Sequence, residues 1–251
     1  LSNSTVALYG DINYYEDINM MEEKAKKFPF YSSGGLLATR SINRGTWDLL
    51  PGTKEEVGII SDIMSARDLN ITVYTQNDAN EESFKAFSAD APEIIHIATH
   101  GFYFTSGKNT TNSFFNSLHG YTQNDYAMFY SGLLFAGCNN VWTGNRRVEG
   151  VEDGILTADE ISRLDLSNNK LIVLSACNTG LGDIDIVDGV FGLQRGLKIA
   201  GAKKILVSLW KVPDEETKEL MSKFYMELVS GKTPHQSLKS AQRHMMNIGK
   251  P

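Results

Sequence analysis

Ile94-Ile-His-Ile-Ala-Thr-His100-Gly101 and Leu171-Ile-Val-Leu-Ser-Ala-Cys177-Asn-Thr-Gly180 decide how this chain reads. Each begins as a nearly unbroken apolar run of strand length, without the polar alternation of a half-exposed strand. That is the pattern of a strand covered on both faces, as in a parallel sheet. Each run then stops at a residue with chemistry in it, a histidine in one case and a cysteine in the other, followed by turn-forming residues. In open α/β sheets, ligands bind beyond the carboxyl ends of the strands. The two stretches therefore predict an imidazole and a thiol at one end of one sheet.

Outward from this pair, further apolar runs at Val6–Gly10, Ile71–Tyr74 and Ile205–Leu209 read as strands, giving Ile94–Thr99 and Leu171–Ala176 their neighbours. Helical periodicity lies between them. Thr53-Lys-Glu-Glu56 has the form of a capping box, and Val57, Ile60 and Met64 then recur on one face. Thr157-Ala-Asp-Glu160 and Thr233-Pro-His-Gln236 repeat the device, the latter with Pro234 at the first helical position. Gly189–Ala200 and Thr217–Val229 also read as helices, closed by Gly201 and Gly231. Strands alternating with helices predict a three-layer α/β sandwich, its mostly parallel central sheet covered by helices on both faces. Lys24–Leu50 and Phe104–Ser131 have no clear period and read as long loops. No repeat or linker divides the 251 residues, so residues 1–251 are expected to form one domain. The start at Leu1 rather than Met reads as excision from a longer protein.

Composition narrows the function. Forty-one per cent hydrophobic and 22% charged residues are ordinary for a folded domain. Twenty-four basic against 30 acidic residues give a net charge of −6, with no basic patch of the kind nucleic acid requires. No apolar run is long enough to cross a bilayer. Two cysteines make no disulfide framework, which reads as a reducing, cytoplasmic setting. No Cys-x-x-Cys or His-x-x-x-His pair suggests a metal site, and no cofactor is expected.

His100 and Cys177 are the candidate catalytic pair. An imidazole beside a thiol favours the thiolate, which is the nucleophile. The backbone N–H groups of Gly101 and Cys177 would be natural donors to an oxyanion. A lone cysteine is more often a small core hydrophobe, and that is the reading for Cys138, which has no comparable strand behind it. His96, in mid-strand, reads as a core histidine.

Several blocks then show a resemblance. His96–Gly101 and Leu174–Gly180 are similar to the two signature motifs of CHAT-domain peptidases, bacterial relatives of caspases and separase often fused to tetratricopeptide repeats. Leu50–Val57, Asp153–Ile161, Gly201–Asp214 and Phe224–Leu228 resemble further blocks of that family, in its order. The resemblance implies a caspase-like fold and a cysteine endopeptidase that cuts protein or peptide substrates with His100 and Cys177. A regulatory partner or a fused repeat domain is implied too. The alternative from a different class is a catalytically latent caspase-like module that transmits binding between partners.

The resemblance also bears on specificity. Metacaspases and related enzymes place one acid at the end of the first strand and another two residues before the cysteine, and both attract a basic residue. Here those positions are Asp11 and the neutral Ser175, so half of the acidic pocket is missing, and an apolar or small residue before the scissile bond is as plausible as a basic one. Trp210 is a candidate pocket wall. Asp183, Asp185 and Asp188 follow the cysteine; some relatives need calcium, but the spacing misses the EF-hand pattern, and a solvated loop is the expectation.

Overall fold

The computed structural model describes residues 4–28, 45–67, 69–103, 127–144, 149–175, 186–208 and 214–249. Five strands form an all-parallel sheet: β1 (Thr5–Ile12), β2 (Asn70–Gln76), β3 (Ile94–Ala98), β7 (Leu171–Ser175) and β8 (Ile205–Val207), in the order β2-β1-β3-β7-β8. All five expected strands are present. The two that opened the sequence argument, β3 and β7, are buried at every position and lie side by side near the middle. A second sheet, of antiparallel strands β4 (Gly101–Tyr103), β5 (Ser131–Leu134) and β6 (Ile155–Thr157), was not expected. Its strands of three and four residues are too short to display a period of two.

Helices cover both faces of the parallel sheet, as the alternation predicted. On one face α2 (Pro51–Ser65), α7 (Asp214–Val229) and α8 (Pro234–Asn247) enclose a core in which Val6, Leu8, Ile94, Leu171 and Val173 meet Val57, Ile60, Phe224 and Tyr225. On the other, Ala7, Tyr9, Ile95, Ile97, Ile172 and Leu174 pack against a larger core. It includes Phe84 of α3 (Glu81–Lys85), Trp142 of α4 (Cys138–Trp142), Ile161 of α5 (Ala158–Ser162), Leu197 of α6 (Ile186–Ile199) and the small sheet. The alternation of neighbouring residues between the two cores is the period of two that an extended chain imposes. One short helix, α1 (Ile18–Ala25), follows β1.

The capping boxes at Thr157 with Glu160 and at Thr233 with Gln236 are present in full. The one expected at Thr53 is not. Pro51 starts α2 three residues earlier than a cap at Thr53 would, so Thr53 lies inside the first turn, donating its hydroxyl to the Leu50 carbonyl at 2.7 Å and accepting the Asp11 N–H at 2.9 Å. Glu56 is thereby released from capping and turns inward. Close contact between α2 and β1 depends on Gly10, where a Cβ would stand 2.7 Å from the Val57 side chain and 2.8 Å from the Thr53 carbonyl. This contact brings the amino end of α2 to the carboxyl ends of the strands, where the candidate site lies.

Candidate functional site

The sheet register brings the two signature strands together. In the β3–β7 pairing, Ile94 lies opposite Leu171, and the last pair is Ala98 with Ser175. In the sequence His100 follows Ala98 by two positions, as Cys177 follows Ser175. Cys177 lies outside the described residues, as do Trp210, Asp183, Asp185 and the side chain of Asp188.

His100 is 3% exposed and tightly held. Its Nε2 stands 2.8 Å from the backbone carbonyl of Asp48. A carbonyl can only accept, so Nε2 carries the proton and Nδ1 is the basic nitrogen of the neutral ring. Two aromatic rings flank the imidazole, Tyr14 at 5.0 Å and Trp47 at 4.9 Å between centroids. Tyr14 is held in turn by Thr99, at 2.9 Å, and burial pushes its phenol above the usual range. Tyr14, Trp47 and Asp48 could not have been found from residue type. The decisive contact is a backbone carbonyl, which any residue carries, and Trp47 and Asp48 fall in a stretch without periodicity.

Gly101 opens β4, an edge strand of the small sheet, opposite Leu133. The His100 carbonyl takes the Leu134 N–H at 3.0 Å, which makes Gly101 and Leu133 a non-hydrogen-bonded pair. The Gly101 N–H therefore points away from β5, as a donor to a bound oxyanion must.

Asp11 lies near the end of β1 at φ +51°, where the register with β2 shifts between Tyr9 and Ile12, so it occupies a bulge in a backbone conformation that Asp tolerates. Its carboxylate stands 3.6 Å from the Lys54 ammonium. Ser175 is not the vacant neutral position that its hydroxyl suggests, since it donates to the Glu56 carboxylate at 3.1 Å. The other Glu56 oxygen lies 3.3 Å from His96 Nε2, and His96 Nδ1 lies 3.1 Å from the Tyr225 hydroxyl. His96 is a core histidine, its Nδ1 at the Tyr225 hydroxyl and its Nε2 near the Glu56 carboxylate without a hydrogen bond, and Glu56 is a buried acid beside Ser175 that the sequence reading had assigned to capping.

A second cluster of ionisable groups lies elsewhere. Carboxylate oxygens of Glu81, Glu152 and Glu160 lie within 4.8 Å of one another, but the Lys85 ammonium stands 2.6, 2.9 and 3.4 Å from them and supplies the positive charge itself. Burial opposes the Lys85 charge, yet the carboxylates hold its pKa above the ordinary value. Burial pushes Glu81 and Glu152 up. Glu160 takes the Thr157 N–H and hydroxyl at 2.9 and 2.7 Å. Cys138 is fully buried, and burial raises its thiol well above the usual value, which makes it inert.

Comparison with known proteins agrees with this architecture. No described helix is long and apolar enough to cross a membrane. The chain is 26% identical over 230 residues to tetratricopeptide repeat protein 28 of Mus musculus, covering 86% of this chain and 9% of that protein. It is likewise 26% identical over 221 residues to the Homo sapiens protein of the same name, covering 82% and 8%. The chain thus spans less than a tenth of the length of these relatives. The model of the CHAT domain matches residues 22–250. With nearly its whole length matched, and with a parallel sheet that brings the two signature strands side by side, the chain belongs to the CHAT family of caspase-like peptidases.

Proposed function

We propose that this chain is a cysteine endopeptidase with His100 and Cys177 as its catalytic dyad. The observation that supports the reading is the Ala98–Ser175 pair, the last of the β3–β7 register, which stands two positions before His100 and two positions before Cys177 in the sequence. His100 Nδ1 takes the thiol proton, and the resulting thiolate attacks the substrate carbonyl. The Gly101 and Cys177 N–H groups stabilise the tetrahedral oxyanion. His100 then returns the proton to the departing amine, leaving a thioester. A water molecule, deprotonated by His100, releases the acyl group and regenerates the thiol. The proposal extends to specificity. The Glu56 carboxylate at Ser175, together with the Asp11 carboxylate at the end of β1, favours Arg or Lys before the scissile bond. A protein or peptide is the substrate, and a regulatory partner or fused repeat domain governs access.

The test is a peptide library presented to the wild type and to Cys177→Ala. Cleavage after basic residues by the wild type alone is expected; equal cleavage by Cys177→Ala would sink the dyad. The deep burial of His100 favours a second reading, a latent module that transmits binding without cutting. A thiol-directed peptide electrophile separates the two. Fast labelling of Cys177 over the buried Cys138 supports the enzyme, whereas equally slow labelling of both supports the latent module.

A further inference from the structure

Asn139 has no part in the chemistry proposed above, yet its carboxamide holds the backbone on which the orientation of His100 depends. It is 4% exposed, in the first turn of α4. Its Oδ1 accepts the Trp47 N–H at 2.8 Å, and its Nδ2 donates to the Trp47 carbonyl at 3.0 Å. One side chain thus satisfies both backbone groups of one residue, as a neighbouring strand would. The next residue, Asp48, presents its carbonyl to His100 Nε2. Residues 45–50 are neither helix nor strand, so no ladder of backbone bonds fixes this segment.

The same short helix reaches the other flank of the imidazole. The backbone N–H of Asn139 donates to the Tyr14 carbonyl at 3.1 Å, and the Gly137 N–H donates to Asn13 at 3.0 Å, tying α4 to the segment that carries Tyr14. Trp142, one turn further along α4, meets the Trp47 ring edge-on at 5.1 Å. Both rings that bracket His100 therefore lean on α4, and Asn139 touches the backbone of each.

We propose that Asn139 is the positioning residue of the catalytic base: its carboxamide clamps Trp47 so that the Asp48 carbonyl receives the His100 Nε2–H and leaves Nδ1 as the basic nitrogen. The inference rests on the dyad reading for its catalytic consequence and on geometry alone for the tautomer. Asn139→Ala removes both bonds. Asn139→Asp is isosteric and keeps the acceptor for the Trp47 N–H, but sets a carboxylate oxygen against the Trp47 carbonyl. Asn140→Ala is the control, because it removes a half-buried bond to the Glu16 carbonyl from the same helix, and Asn140 has no hydrogen bond to Trp47 or Asp48.

Two readouts are taken on the full chain: the slowly exchanging Nε2–H signal of the His100 imidazole by NMR, and steady-state kinetics on a cleaved peptide. Asn139→Ala is expected to lose the signal and to lower kcat roughly ten- to a hundred-fold with KM little changed, the scale of a misplaced catalytic group. Asn140→Ala should keep both. If Asn139→Ala does not fold, Asn139→Asp carries the same expectations. A signal and a kcat in the Asn139 variants equal to those of Asn140→Ala would overturn the proposal. Should the wild type cleave nothing, the dyad reading fails, while the imidazole signal still decides whether Asn139 sets the tautomer.

Discussion

The ammonium of Lys85 sits among three carboxylates, whereas the imidazole of His100 is held by an uncharged carbonyl and two aromatic rings. Both are buried. The Lys85 cluster joins α3, the segment before β6 and the first turn of α5, and its one ammonium is shared among three carboxylates, two of which burial pushes toward the neutral form. Such an arrangement is rigid and specific, and costly to disrupt, because removing one member strands the others in a low-dielectric interior. The His100 site uses no such counter-charge among its described partners. The Asp48 carbonyl and the two rings are neutral contacts, and a base must remain able to take and give back a proton. The charge-compensated cluster suits structure, and the neutrally held group suits chemistry.

Four substitutions would break or sharpen this contrast. His100→Ala is expected to lower kcat by about 10²–10⁴-fold, the usual contribution of a general acid–base group. Its companion measurement is a urea titration; a variant that stays folded and fully active would show the neutrally held site to be structural. Lys85→Met should cost about 3–5 kcal/mol at neutral pH, since three buried carboxylates lose their counter-charge. Part of that loss should return at pH 5 as the carboxyls take up protons, and a loss below about 1 kcal/mol would show that the cluster does not bind these elements together.

Glu16 provides an intermediate case. Its carboxyl is 2% exposed, neither oxygen has a hydrogen-bond partner, and burial raises its pKa from 4.5 to about 7. A carboxyl whose pKa is raised by folding contributes stability below its unfolded value and loses it as pH climbs through the folded value. Wild-type stability should therefore fall between pH 4.5 and about 7 from this group. Glu16→Gln should remove that fall and be the more stable protein at pH 8, by on the order of 1 kcal/mol, in denaturation curves at both pH values. The smallest effect is expected far from both sites: Thr233→Ala removes the α8 cap and should cost about 1 kcal/mol without changing activity.

The fold was legible to the extent that burial writes itself into residue type. Residues 94–98 and 171–175 are apolar at nearly every position because both faces are covered, and their parallel pairing followed. The Thr157 and Thr233 caps were legible because a capping box is local, with all its atoms within one turn. The Thr53 box failed because Pro51, also a start signal, opened the helix three residues earlier and left Glu56 outside capping range. The small sheet was missed because its pairing is between segments of three and four residues that carry no period.

At the site, the ends of the two apolar strands named His100 and Cys177 as candidates without reference to any contact. No residue type foretold that the Asp48 carbonyl would choose the imidazole tautomer, that Asn139 would clamp Trp47, or that Glu56 would reach Ser175. The sequence by itself determined the strands, the faces they bury and the residues at which they stop, because hydrophobic pattern and turn chemistry act within a few residues. Tertiary structure alone decided which loop carbonyl, which ring and which carboxylate meet at the end of the sheet. Those contacts join residues from 40 to 119 positions apart, and their energies depend on distances that only the packed chain sets.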